Sequence, residues 1–167
     1  FIGVSNFDAA QIARAARVAP IASVQPEYSM FRRHIEAEII PHCEHEGIGI
    51  LPHSPLSKGL LSGRFRSDHV FPESDERTGR PRFQPGAFGR FLEVAERLKE
   101  VAADNGVSLV QLAIAWVMRV PQVSTVLVGA KRPEQIQEHL GAVDTDLSCD
   151  TLERIDEILQ AAPDVHG

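Results

Sequence analysis

The residues Gly129-Ala130-Lys131-Arg132 stand just ahead of a stretch with helical spacing that opens on Pro133. A helix start leaves backbone N–H groups without internal partners, and small residues let a ligand approach them. With the charges of Lys131 and Arg132 added, the segment suits a phosphate monoester. Gln135, Glu138 and His139 follow along the first turns, within reach of a sugar or base carried by that phosphate. The same residues also suit an ordinary helix start with basic side chains on its surface. Elsewhere, Ser5, Asn6 and Gln25 offer donors and acceptors fit for a carboxamide, though taken singly each could satisfy loop backbone. His53 fits general acid–base chemistry, and its flat ring equally fits stacking on a ligand ring. With no evident Asp or Ser partner in sequence, stacking is the favoured reading. The run Ser54-Pro55-Leu56-Ser57-Lys58-Gly59-Leu60-Leu61 makes a tight turn whose amides and Lys58 could reach a diphosphate, or else a plain surface loop. His42 and His45, three apart, could join a zinc site, but no second ligand pair of fitting spacing exists and no metal is expected.

The elements that must position these groups repeat a pattern. Four short apolar runs, Phe1–Val4, Ile21–Val24, Ile48–Leu51 and Thr125–Val128, each end in small or polar residues and give way to helical spacing. Strands alternating with helices imply an α/β fold with a parallel sheet, and a ligand site at the carboxyl ends of the strands, where the candidate residues fall. The pattern begins at residue 1, and four such units are expected to be half of a larger barrel.

Asp8 and Gln11 form a capping-box pattern for a helix running to about Val18, and Pro20 stops it. Residues 35–45 read as a helix with Ile35, Ile39, Ile40 and Cys43 on one face, closed by Gly47. From Ala87 to Asn105, Phe88, Phe91, Leu92, Ala95, Leu98 and Ala102 mark an amphipathic helix packed on the sheet. Ser108 and Gln111 open a second capping box, before a helix apolar on most faces that should be deeply buried. The helix from Pro133 should reach about Ala142, and Asp150 with Glu153 should cap a last helix ending near Ala161. Residues 163–167 are expected to be loose. Between about residues 57 and 86 no period persists. A stretch of that length inside a domain is usually functional or disordered, and its three prolines and scattered arginines fit both.

Composition narrows the class. The 167 residues carry a formal charge of −6, with a pI near 5.6, against a nucleic-acid binder, and 43% hydrophobic residues suffice for a core. No apolar stretch approaches the ~20 residues of a membrane helix, and the N-terminus lacks signal-peptide character. A cytoplasmic protein is expected. Cys43 and Cys149 lie far apart without CxxC spacing and should be reduced.

Four motifs in order, Ile2-Gly3-Val4-Ser5-Asn6-Phe7, Val24-Gln25-Pro26-Glu27-Tyr28-Ser29, Pro52-His53-Ser54-Pro55-Leu56 with Gly59, and Val128-Gly129-Ala130-Lys131 through Ala142, resemble the strand ends of aldo-keto reductases. The resemblance spans essentially the whole chain and implies a (β/α)8 TIM barrel of which residues 1–167 form roughly the C-terminal four βα units, strands five to eight. It implies NADP(H) as cofactor and a small-molecule carbonyl as substrate. By that likeness Ser5, Asn6 and Gln25 hold the nicotinamide carboxamide, and His53 takes the place of a tyrosine that stacks on the nicotinamide. Ser54, Pro55, Leu56, Lys58 and Gly59 belong to the turn at the diphosphate. Gly129, Ala130, Lys131 and Gln135 receive the adenosine 2′-phosphate, Glu138 meets the adenine, and His139 stands where an asparagine is common.

The family's proton-transferring Asp, Tyr, Lys and His come from the first four strands, and nothing here matches them. No catalytic residue is therefore expected in this chain, Tyr28 and His53 are not substitutes, and the chain alone should be inactive. Without its upstream half it should also lack stability, through open strand edges. A rival reading, a non-catalytic nucleotide-sensing subunit similar to potassium-channel β subunits, needs the same cleft. The oligomeric state is left open.

Overall fold

The computed structural model describes residues 1–162; the tail predicted to be loose lies outside them. Its centre is a parallel sheet of β1 (Gly3–Ser5), β2 (Ser23–Gln25) and β3 (Gly49–Ile50), in sequence order. Val4 registers with Val24, and Val24 with Ile50. The predicted fourth strand runs beside β3 without becoming a ladder. It touches β3 and its extension at two isolated bridges, Ile50 with Val123 and His53 with Leu127. Between them stands Pro52, which accepts from Leu127 N at 2.9 Å but has no N–H to donate, so the pairing cannot run continuously.

Helix α1 (Ala9–Ala16) starts on Asp8, whose side chain accepts from Gln11 N while Gln11 returns the bond, as its sequence requires. Helix α2 (Ile39–Glu46) begins four residues later than predicted. Residues 35–38 form turns instead, because Glu36 is drawn into bonds with Tyr28, Arg33 and Arg119. Helix α3 (Ala87–Asp104) buries the expected face, but against α4 (Leu109–Met118), α6 (Cys149–Gln160) and the 57–86 segment rather than on the sheet. Helix α4 is the hub, with Leu109 to Val117 buried except the half-buried Gln111. Each apolar side chain of Leu or Ile size buried there contributes roughly 1.5–3 kcal/mol. Helix α5 (Pro133–Leu140) stops two residues short of the expected end. Helix α6 is capped by Ser148, which accepts from Thr151 N at 3.1 Å, and not by Asp150 and Glu153; the hydroxyl cap lies two residues earlier than the acidic pair suggested. No single helix among the described residues is long and apolar enough to cross a membrane.

The segment after β3 is ordered. It contains three 3₁₀ turns, Ser57–Ser62, Glu76–Gly79 and Pro81–Phe83. What replaces periodicity is an aromatic mesh of Phe65, His69, Phe71, Phe83 and Phe88, with ring centroids 4.5–5.9 Å apart. Arg77 lies over Phe71 at 4.5 Å while its own guanidinium grips Asp75. That grip holds the Asp75 carboxyl well below the usual carboxylate range.

Two surfaces are bare. β1 has β2 on one edge and no strand on the other among the described residues. Ile136, Leu140 and Val143 form an exposed apolar stripe along and just beyond α5.

Candidate functional site

A cleft of about 790 Å³ opens at the carboxyl ends of the strands, within the size range of small-molecule sites. One wall is the turn after β3, with Ser54, Pro55, Leu56, Lys58 and Gly59. The facing wall is the loop into α5, with Gly129, Ala130, Lys131, Gln135, Glu138 and His139. These are eleven of the fifteen residues singled out from sequence, brought into one cavity from stretches about seventy residues apart. Val110 and Val128 add apolar lining.

The remaining four, Ser5, Asn6, Gln25 and His53, sit together at the strand ends beside the cleft. Ser5 Oγ and Asn6 N both donate to the Gln25 carbonyl, at 3.0 and 3.1 Å. His53 Nε2 is 3.1 Å from Asn6 Oδ1, and Nδ1 is 3.1 Å from Ser54 Oγ. The imidazole thus has a serine neighbour, contrary to the expectation from sequence, together with an amide. Both contacts fix the ring plane. Neither neighbour is a carboxylate.

Backbone conformation separates this region from the rest. Among the described residues four non-glycine positions have positive φ: Asn6, Ser54, Ser57 and Lys58, at 48–58°. All belong to the strand ends or to the turn that lines the cleft. Such conformations cost of order 1–3 kcal/mol each and persist where surrounding contacts enforce them, as at ligand sites.

Several predicted residues are already engaged within the chain. Gln135 Oε1 accepts from Lys131 N (2.7 Å) and Arg132 N (3.1 Å), so two of the amides expected to be open at this helix start are taken. Lys58 donates to Glu76 Oε1 at 2.8 Å, and that bond, with a second from Arg80, holds the Glu76 carboxyl below its ordinary value. Arg64 reaches Glu138 across the cleft at 3.4 Å. Burial keeps the His139 imidazole below its usual pKa, Arg64 adding to the effect and Glu138 opposing it. Lys131 and Arg132 form no salt bridge among the described residues and remain as exposed cations.

Within the 57–86 segment sequence reasoning picked out Lys58 and Gly59 and missed the rest of its contribution. Ser62, Arg64, Phe65, Asp75, Glu76 and Arg77 all line the cleft. Their signal was only the density of Arg, Asp and Phe in a stretch without period, which says nothing of which residue faces inward. Among the described residues no group of three or more His, Cys, Asp or Glu could hold a metal ion.

A profile of the Aldo/keto reductase family matches residues 1–160. The chain is 34% identical over 160 residues to the aldo-keto reductase yakc [NADP(+)] of Schizosaccharomyces pombe, covering 94% of this chain and 47% of that protein. It is 37% identical to a probable voltage-gated potassium channel subunit beta of Arabidopsis thaliana, covering 96% and 52%. Among solved structures, the glycerol dehydrogenase AKR11B4 from Gluconobacter oxydans superposes with a TM-score of 0.89 at 31% identity, over 96% of this chain and 49% of that one. The chain thus spans about half the length of the relatives it matches, and its sheet and helices are part of a (β/α)8 barrel.

Proposed function

The chain belongs to the Aldo/keto reductase family, and on that premise we propose that it is the cofactor-binding half, strands five to eight, of an NADP(H)-dependent oxidoreductase that reduces aldehydes or ketones to alcohols. The observation that carries this reading is the single cleft formed by eleven of the fifteen motif residues, cationic at one end and bordered by an oriented imidazole at the other. Gly129 and Ala130 leave room beside the exposed charges of Lys131 and Arg132, which fits the monoester of a 2′-phosphate. The positive-φ turn from Ser54 to Gly59 lines the cleft together with the Lys58 cation, which fits a diphosphate.

When bound, NADPH supplies a hydride to the substrate carbonyl. The residues of this chain bind and orient. Ser5, Asn6 and Gln25 form the polar group to which the carboxamide docks, and His53, held by Asn6 and Ser54, gives the ring face for stacking. The proton for the carbonyl oxygen comes from a residue outside this chain. Residues 1–167 alone are therefore inactive, and the bare edge of β1 and the Ile136–Leu140–Val143 stripe are surfaces covered by the upstream half. Expression of residues 1–167 as a cooperatively unfolding monomer would contradict that assignment.

The test is carbonyl reduction by the complete protein, followed by loss of NADPH absorbance. Turnover supports the reading, and absence of NADPH binding overturns it. The potassium-channel relative favours a second reading, a nucleotide-sensing subunit of similar cleft. Tight NADPH binding without turnover of any carbonyl would select it.

A further inference from the structure

Two adjacent arginines beyond β2 are used in different ways. Arg33 is fully engaged, donating to Glu36 and Asp156 and lying over the Trp116 ring. Arg32 makes no salt bridge among the described residues, and its Nε is buried without a hydrogen-bond partner. A buried donor of this kind is costly unless something occupies it. Ser29 pairs with Arg32 across a tight turn, through N–H to carbonyl bonds of 3.2 and 2.9 Å, and its own buried Oγ also lacks a partner. Of three such side-chain atoms among the described residues, two lie in this one turn.

A second cation comes from the 57–86 segment. Arg82 donates to Ser57 Oγ at 2.8 Å and to Glu27 Oε1 at 3.3 Å. Glu27 stands in bridge register with His53, two residues beyond Gln25 and so on the same face of the extended strand. Arg82 is thereby anchored beside the His53 end of the cleft. His34 feels all three charges: burial and the two guanidiniums push its pKa below the ordinary value, against the pull of Glu27. The group thus sets two guanidiniums and an imidazole against one carboxylate.

We propose that Arg32, Arg82 and His34 form an anion subsite beside His53, which holds a carboxylate or phosphate group on the carbonyl substrate. This rests on the reductase reading and adds to it a substrate class, anionic aldehydes or ketones. Arg32 is the primary ligand, since its Nε–H has no acceptor within the described residues. Arg82 adds charge while staying tied to Glu27, and His34 gains a counter-charge when the anion binds.

In the complete protein, kcat/KM is compared for 4-carboxybenzaldehyde against benzaldehyde, and for glyceraldehyde 3-phosphate against glyceraldehyde. Arg32→Ala should lower kcat/KM for at least one anionic member by about tenfold or more, chiefly through KM, and leave the neutral members within about twofold. Which pair responds identifies carboxylate or phosphate as the group. Arg32→Gln, closer in volume, serves if the alanine variant folds poorly. Unchanged ratios, or equal losses on neutral and anionic members, overturn the proposal. Should the complete protein bind NADPH yet reduce nothing, the reductase reading fails separately. The subsite is then tested by titrating benzoate and inorganic phosphate while following the His34 imidazole by NMR. An upward pKa shift that Arg32→Ala abolishes supports the anion site, and no shift overturns it.

Discussion

Gly59→Ala should disturb the cleft more than a methyl at Gly129, the other glycine that lines it. Gly59 has φ +100° and ψ −4°, outside even the left-handed helical region that other residues visit. A Cβ there would lie 3.0 Å from Phe65 Cε2 and 3.2 Å from Cζ, and Phe65 is in edge contact with Phe71 and so has little room to retreat. Gly47, the C-cap of α2, gives an internal standard: its φ is +65°, and a Cβ there would meet nothing within 4 Å. Gly47→Ala therefore reports backbone strain alone, about 1–2 kcal/mol. Gly59→Ala should cost that much or more from the backbone, plus about 1–3 kcal/mol for overpacking against the ring. Urea unfolding of the complete protein measures the difference, and NADPH titration by fluorescence measures the effect on the turn. The expectation is a drop in midpoint larger than for Gly47→Ala, together with weaker NADPH binding that Gly47→Ala does not cause. Equal midpoints for the two variants would refute the packing argument. Parent-like NADPH affinity for Gly59→Ala would refute the assignment of this turn to the diphosphate.

Other expectations follow from single contacts. Lys131→Ala should reduce the preference for NADPH over NADH by roughly fivefold, about 1 kcal/mol for an exposed charge, with the ratio of the two dissociation constants as readout. Lys58 and Arg80 hold the Glu76 carboxyl below its ordinary pKa. Its ionised contact is therefore complete above the unfolded carboxylate value and is lost as pH falls through the lower folded one. NADPH dissociation measured by stopped flow should accelerate across that acid window, and in Glu76→Gln it should be fast already at neutral pH; a parent-like profile would remove the pair from control of the cleft. Glu36→Ala strips the acceptor shared by Tyr28, Arg33 and Arg119 and should cost about 2–3 kcal/mol by urea unfolding. Tyr28→Phe, which leaves Glu36 paired with both arginines, should cost less than half of that.

The strand–helix order and two of the helix caps were legible because each depends on neighbours in sequence. Asp8 with Gln11 and Ser108 with Gln111 close their boxes as the three-residue spacing demands. Helix α2 was placed too early because its apolar spacing continues through Ile35, while Glu36 is held by Tyr28, Arg33 and, 83 residues away, Arg119. The fourth strand failed to form a ladder because Pro52, on the neighbouring strand, cannot donate. That fact is invisible within residues 125–128 themselves.

For the site, the motif residues at the strand ends came from sequence, since a parallel α/β chain has only one end at which ligands gather. Tertiary structure alone decided three things. It folded the aperiodic 57–86 segment into an aromatic mesh that adds Arg64, Phe65 and Arg77 to the cleft. It turned Gln135 onto its own helix start, and it left the Arg32 Nε without a hydrogen-bond partner while its neighbour Arg33 was engaged. Each is a choice of partner across many residues, made by packing and charge once the backbone is in place, and no local spacing encodes it.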